Sequence, residues 1–173
     1  MAIVLIRIDD RLIHGQVIEG WLKTVHADRI LVVSDEVVGD KVESQLMGLA
    51  VPENIKLTIA DVKKSVELIN DGHDTKERIL VLLPDIETAS KMIELKAEIE
   101  SLNLGGLHWS QGKTQYLKAV SLDEKEIEQL KEIKKRGIEI ESRALPLDDR
   151  VDILKFIEEK KISHGATEKN KEN

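Results

Sequence analysis

The stretch Ala2-Ile3-Val4-Leu5-Ile6-Arg7-Ile8-Asp9-Asp10-Arg11-Leu12-Ile13-His14-Gly15-Gln16-Val17-Ile18 joins an apolar run to a dense polar segment and then to a helical pattern. The run Ala2 to Ile6 reads as a strand buried on both faces, and Ile18, Trp21, Leu22 and Val25 recur at helical spacing. His14 therefore stands where a strand ends and a helix begins. In open α/β sheets ligands gather at the carboxyl ends of the strands, and a helix N-terminus offers free N–H groups to anions, so this position suits a phosphoryl group.

The alternation continues outward from this segment. Strands are expected at Arg29 to Val33, Ile55 to Ala60, Ile79 to Leu83, Leu102 to His108 (interrupted by Gly105-Gly106), Tyr116 to Val120 and Ile138 to Ile140. Helices are expected between them: one with Val42, Leu46, Leu49 and Ala50 as its apolar face, one closed by Gly72, one capped by Asp85 and reaching Ile99, one from Asp123 to Gly137, and a last one from Asp148. Such alternation implies one α/β domain, a mostly parallel twisted sheet with helices on both faces. The domain is expected over residues 1–160. The Lys-, Glu- and Asn-rich segment 161–173 is expected to be a disordered tail.

Composition narrows the chemistry. The 173 residues are enough for one ordinary core. Cys is absent, so phosphoryl chemistry must use another nucleophile, and neither disulfides nor thiolate metal sites are available. A formal charge of −7 and few aromatic residues oppose sequence-independent nucleic-acid binding. No apolar run reaches the roughly 20 residues that span a bilayer, and the chain starts directly in a strand, which favours a cytoplasmic protein.

An imidazole with an ordinary pKa near 6.5 is substantially neutral at cytoplasmic pH and attacks phosphorus without a separate strong base. Asp9 and Asp10 are placed to orient it and to fix which nitrogen stays unprotonated, and Arg11 to neutralise phosphoryl charge. Salt bridges within the loop are the structural alternative for Arg7 and Asp9, and a metal or acid/base role for Asp9-Asp10 is a weaker one. The amides of Gly15 and Gln16 are candidate phosphate donors, with Gly15 admitting close approach. In the second polar cluster, Asn103 to Gln115, Gly112-Lys113-Thr114 does not complete a P-loop, because position 107 is Leu. His108 is either a second catalytic histidine or a loop anchor. His26, His73 and His164 read as surface residues.

The segment Arg7 to Val17, with Asn103 to His108, Lys118-Ala119-Val120 and Gly137 to Pro146 in order behind it, resembles the IIB component of the mannose/fructose/sorbose class of the bacterial phosphoenolpyruvate-dependent sugar phosphotransferase system. The resemblance covers about Ile3 to Ile157. It implies a phosphohistidine carrier, with His14 as acceptor through Nδ1; Asp10 and Arg11 are expected beside it from the residues themselves, and no cofactor or metal is expected. It also implies partners: phosphate arrives from a IIA protein or domain and leaves to a sugar held by membrane IIC and IID subunits, with the carrier peripheral to that permease. Members of this class commonly place a basic residue just before the Gly-Lys of the second loop, whereas this chain has Ser110-Gln111, so Lys113 becomes the nearest second cation. A non-catalytic regulatory module that senses a phosphorylated ligand on the same fold is the competing function.

Overall fold

The computed structural model describes residues 2–72 and 76–169, with side chains to residue 162. His73, the His164 side chain and residues 170–173 lie outside the described residues. Strands β1 (Ala2–Ile8), β2 (Arg29–Val33), β3 (Lys56–Ala60), β4 (Arg78–Leu83), β5 (Ser101–Leu104) and β8 (Glu139–Ser142) form a sheet in the order β3-β2-β4-β1-β5-β8, every pairing parallel. Strands β6 (Thr114–Leu117) and β7 (Val120–Leu122) make a separate antiparallel pair. The single strand expected at Tyr116 to Val120 is thus a hairpin, its apolar Tyr116, Val120 and Leu122 turned into the core.

Alternate residues of the central strands feed two apolar layers, as the two-residue period of a strand requires. Ile79, Val81 and Leu83 of β4 face α4 (Val62–Asp71), α5 (Ile86–Glu94), α6 (Glu124–Lys135) and α7 (Ile153–Lys169), whereas Leu80 and Leu82 face the segment from Leu12 to Ala27 and Val37 of α2 (Asp35–Gly39). Helices therefore cover both faces, as the sequence pattern predicts. Among the described residues, no helix is long and apolar enough to cross a membrane.

Several boundaries differ from the sequence reading, each for a local reason. The helix after His14 begins as a π-helix, Gln16–Leu22, continued by the short α1 (Lys23–Val25). Helix α5 stops at Glu94, and Lys96 takes a positive φ of 63°, so Ile99 packs from beyond the helix. The last helix starts at Ile153: Asp152 accepts the Lys155 amide at 3.1 Å, while Asp148 closes an earlier turn on the Leu145 amide at 2.7 Å. That helix runs to Lys169, through the boundary expected at 160, and Lys161 pairs with Glu124 at 3.0 Å. In contrast, α6 ends as read, with Gly137 at φ 86°.

Helix α3 (Lys41–Ala50) corrects one expectation outright. Val42, Leu46 and Leu49, read as its inward face, are 67%, 62% and 85% exposed, and Met47 is the residue it buries. The helix packs chiefly against α2, with its apolar stripe turned outward.

Candidate functional site

The strand order sets the site. From β1 the chain crosses to β2 and β3 on one side, returns through β4, and then adds β5 and β8 on the other side of β1. The carboxyl ends of β1 and β5 flank this reversal, the position where ligands collect in doubly wound sheets.

Arg7 and Asp9 share one face at the end of β1, and both are completely buried. The Arg7 guanidinium makes five hydrogen bonds: Nε and Nη2 donate to Asp9 Oδ2 at 3.2 and 2.9 Å, Nη1 to Asn103 Oδ1 and to the Arg143 carbonyl, and Nη2 to the Ala144 carbonyl. Its face lies over the Trp21 ring, 5.1 Å from the centroid. No donor of this buried cation is left unpaired, which makes its burial tolerable. Gly105 and Gly106 are part of the same arrangement. A Cβ at Gly105 would stand 2.0 Å from Arg7 Cζ, and one at Gly106 2.9 Å from Asp9 Oδ1. The two glycines end β5 where these side chains need the room.

Asp9 is the group that meets His14. The imidazole Nε2 lies 3.1 Å from Asp9 Oδ2, the oxygen already held by Arg7. The contact is close but off line for a hydrogen bond, and Nε2 has no other partner. Unliganded sites often hold such contacts loosely and tighten them when substrate arrives. Burial pushes the Asp9 carboxyl up, yet His14, Arg7 and the Arg11 amide together outweigh it and hold the group below the usual carboxylate range. With Nε2 turned inward, Nδ1 is the nitrogen left facing outward.

The loop between them is held in an unusual conformation. Leu12 takes a positive φ of 51° although it is not glycine, and its side chain is 4% exposed. Left-handed backbone costs a non-glycine residue about 1–2 kcal/mol, offset here by burial of the leucine and by its amide on the Asp9 carbonyl at 2.9 Å. The turn brings the chain back so that His14 stands over Asp9. The amides of Val17 and Ile18 both donate to the His14 carbonyl at 3.0 Å, so those of Gly15 and Gln16 come ahead of the first intrahelical bonds. A Cβ at Gly15 would meet nothing within 4 Å. Arg11, its side chain 42% exposed, donates from Nη2 to Gln16 Oε1 at 2.8 Å and holds Nε 3.6 Å from Asp9 Oδ1.

Two residues singled out in the sequence make other contacts. Asp10 receives the His108 amide at 2.7 Å and lies 2.6 Å from His108 Nδ1, tying the loop after β1 to the loop after β5. His108 is thus a loop anchor, and Asp10 orients it rather than His14. Lys113 donates to Glu126 at 2.7 Å, and Glu126 is also the capping-box residue of α6. Lys113 is thus engaged away from this segment, whereas Arg11 stays on Asp9 and Gln16. Arg7 and Asp9 form the ion pair that the sequence offers as one alternative, and Asp9 also meets the imidazole, as its other reading expects. Their spacing of two along a strand, opposite paired glycines, is the signal that identifies them.

Comparison with known proteins follows the same lines. Residues 3–168 match the PTS system sorbose subfamily IIB component family. The chain belongs to this family. The sorbose-specific EIIB component of Lacticaseibacillus casei is 38% identical over 159 residues, 92% of this chain and 97% of that one. The mannose-specific EIIAB component of Escherichia coli K12 is 40% identical over 157 residues, and the chain spans about half, 49%, of its length. The crystal structure of the IIBSor domain of the sorbose permease from Klebsiella pneumoniae superposes with a TM-score of 0.86 at 36% identity, covering 92% of this chain and 98% of that one. This IIB chain thus shares both sequence and fold with phosphotransferase subunits of sugar uptake.

Proposed function

We propose that the protein carries a phosphoryl group on His14 from a phosphorylated IIA protein or domain to a sugar held by a membrane IIC–IID permease. The observation that carries this reading is the His14–Asp9–Arg7 arrangement, in which a buried carboxylate faces Nε2 while Nδ1 points outward. An ionised carboxylate only accepts hydrogen bonds, so it favours the tautomer with the proton on Nε2 and the lone pair on Nδ1.

In the first step the Nδ1 lone pair attacks phosphorus as the bond to the donor imidazole breaks. The donor ring leaves neutral, keeping its own N–H, and the positive charge now on the His14 ring is stabilised through Nε2–H by Asp9. Arg11 and the amides of Gly15 and Gln16 supply donors to the phosphoryl oxygens. In the second step a sugar hydroxyl attacks the phosphorus, the bond to Nδ1 breaks, and His14 returns neutral as the hydroxyl proton is released. The carrier works at the cytoplasmic face of the permease and meets the two partners in turn through overlapping contacts around His14, since donor and acceptor atoms must nearly touch.

The test is reconstitution with phosphoenolpyruvate, the general phosphotransferase proteins, a cognate IIA, and membranes holding IIC and IID. Acid-labile phosphate on the protein, followed by sugar phosphate that depends on it, is the expected result. Binding of phospho-IIA with no phosphate ever transferred would instead favour the regulatory reading.

A further inference from the structure

Arg7, Asn103 and Glu141 form a polar row across three strands. The parallel register pairs Arg7 with Asn103 and Asn103 with Glu141, and the three residues are 0%, 1% and 8% exposed. Arg7 Nη1 donates to Asn103 Oδ1, and Asn103 Nδ2 donates to Glu141 Oε1 at 2.9 Å. The amide can sit only one way. A guanidinium cannot accept and a carboxylate cannot donate, so flipping Asn103 would break both bonds. Glu141 is fixed in turn by Arg143, whose Nε and Nη2 reach it at 3.0 and 2.9 Å and whose guanidinium, like that of Arg7, lies over Trp21 at 5.0 Å.

Such a row is an expensive way to hold a sheet together, because packed apolar residues of similar volume serve stability as well or better. Its direction shows another use. Each hydrogen bond has a fixed sense, from Arg143 to Glu141, from Asn103 to Glu141, and from Arg7 to Asn103 and Asp9, and the row ends at the carboxylate oxygen that faces His14 Nε2. We propose that Asn103 and Glu141 are positioning residues that lock Arg7 on Asp9, and so hold His14 in the tautomer and orientation that expose the Nδ1 lone pair. This inference rests on the reading of His14 as phosphoryl acceptor. Without Asn103 or the Glu141 charge, Arg7 keeps its bonds to the Arg143 and Ala144 carbonyls but loses the side-chain partner of Nη1 or the charge that fixes it, and the Asp9 carboxylate is held less firmly against the ring.

The experiment uses the full chain labelled with 15N-histidine, as wild type, Glu141→Gln and Asn103→Leu, with Leu102→Ala as a destabilised control outside the row. Ring 15N shifts of unphosphorylated His14 report the tautomer, and phosphorylation by phospho-IIA is split into kcat and KM. Both row variants should move His14 towards the Nδ1–H form and lower kcat about tenfold, the scale seen for supporting residues behind a reactive ligand, with KM for the donor unchanged. The control should keep the wild-type ring shifts. A folded Glu141→Gln with wild-type ring shifts and kcat overturns the proposal, and this conservative variant decides if Asn103→Leu does not fold. A wild-type protein that accepts no phosphate would overturn the carrier reading instead, while the ring shifts still decide the positioning.

Discussion

His14 Nε2 and Arg7 meet on the same oxygen of Asp9: Oδ2 lies 3.1 Å from the imidazole and 2.9 Å from the guanidinium. A single buried atom thus joins the imidazole to the sheet. In the carrier reading proposed above, phosphorylation at Nδ1 would give the ring a positive charge, and the carboxylate that would receive it is already fixed in place by Arg7.

Removing Asp9 leaves the buried Arg7 without its counter-charge. Asp9→Ala should therefore lower unfolding stability by roughly 3–5 kcal/mol in urea titrations at neutral pH. The sign of the pH dependence follows from the carboxyl being held below its ordinary value of 3.8 in the folded protein. Its contribution is present above that value and is lost as pH falls through the lower folded pKa. The gap between wild type and variant should accordingly narrow in acid, and a gap independent of pH would contradict the ion-pair account.

Gly105→Ala should be far more damaging than an ordinary loop substitution. The added methyl would sit 2.0 Å from Arg7 Cζ, so the guanidinium or the strand must shift. The expected outcome is a loss of about 3 kcal/mol or more, with phosphoryl acceptance reduced in the protein that still folds. Wild-type thermal stability and transfer rate in this variant would show that Arg7 is not confined as described.

Helix α3 offers a paired test of burial. Met47→Ala should cost about 2–3 kcal/mol, because the side chain is 8% exposed and packs with Val37 and Leu12 in one cluster. Leu49→Gln should change stability by no more than about 0.5 kcal/mol, since that leucine is 85% exposed. The reverse order in chemical denaturation would restore the inward face read from the sequence.

Arg11→Lys should slow transfer about tenfold while leaving the thermal midpoint nearly unchanged. The guanidinium is half exposed and its fork is replaced by a point charge. Rapid-quench measurement of phosphate transfer from phospho-IIA separates the two effects, and an unaltered rate would remove Arg11 from the phosphoryl site.

The layers of the fold were legible because strand and helix periods are local properties. Ile79 to Leu83 and the segment behind His14 declared themselves by spacing alone. The outward stripe of α3 was not legible, since Val42, Leu46 and Leu49 have the spacing of a core face and only tertiary packing decides which way it points. The placement of His14 at a strand end was readable for the same local reason. Which carboxylate serves it was not, because Asp9 and Asp10 are adjacent and equivalent in composition. The positive φ of Leu12 and the register of β1 on β5 decide between them, and both are set by tertiary packing. Lys113 likewise looked free until the capping box of α6 supplied Glu126.

The central claim is that phosphate is carried on His14 through Nδ1. The direct measurement is 15N and 31P NMR of the protein phosphorylated by phospho-IIA and kept at neutral to basic pH, beside His14→Gln, which should fold as the wild type does. A single phosphohistidine whose 31P couples to Nδ1 of His14, absent in the variant, is the predicted result. Phosphate bonded to Nε2, or retained in full by His14→Gln, would contradict it.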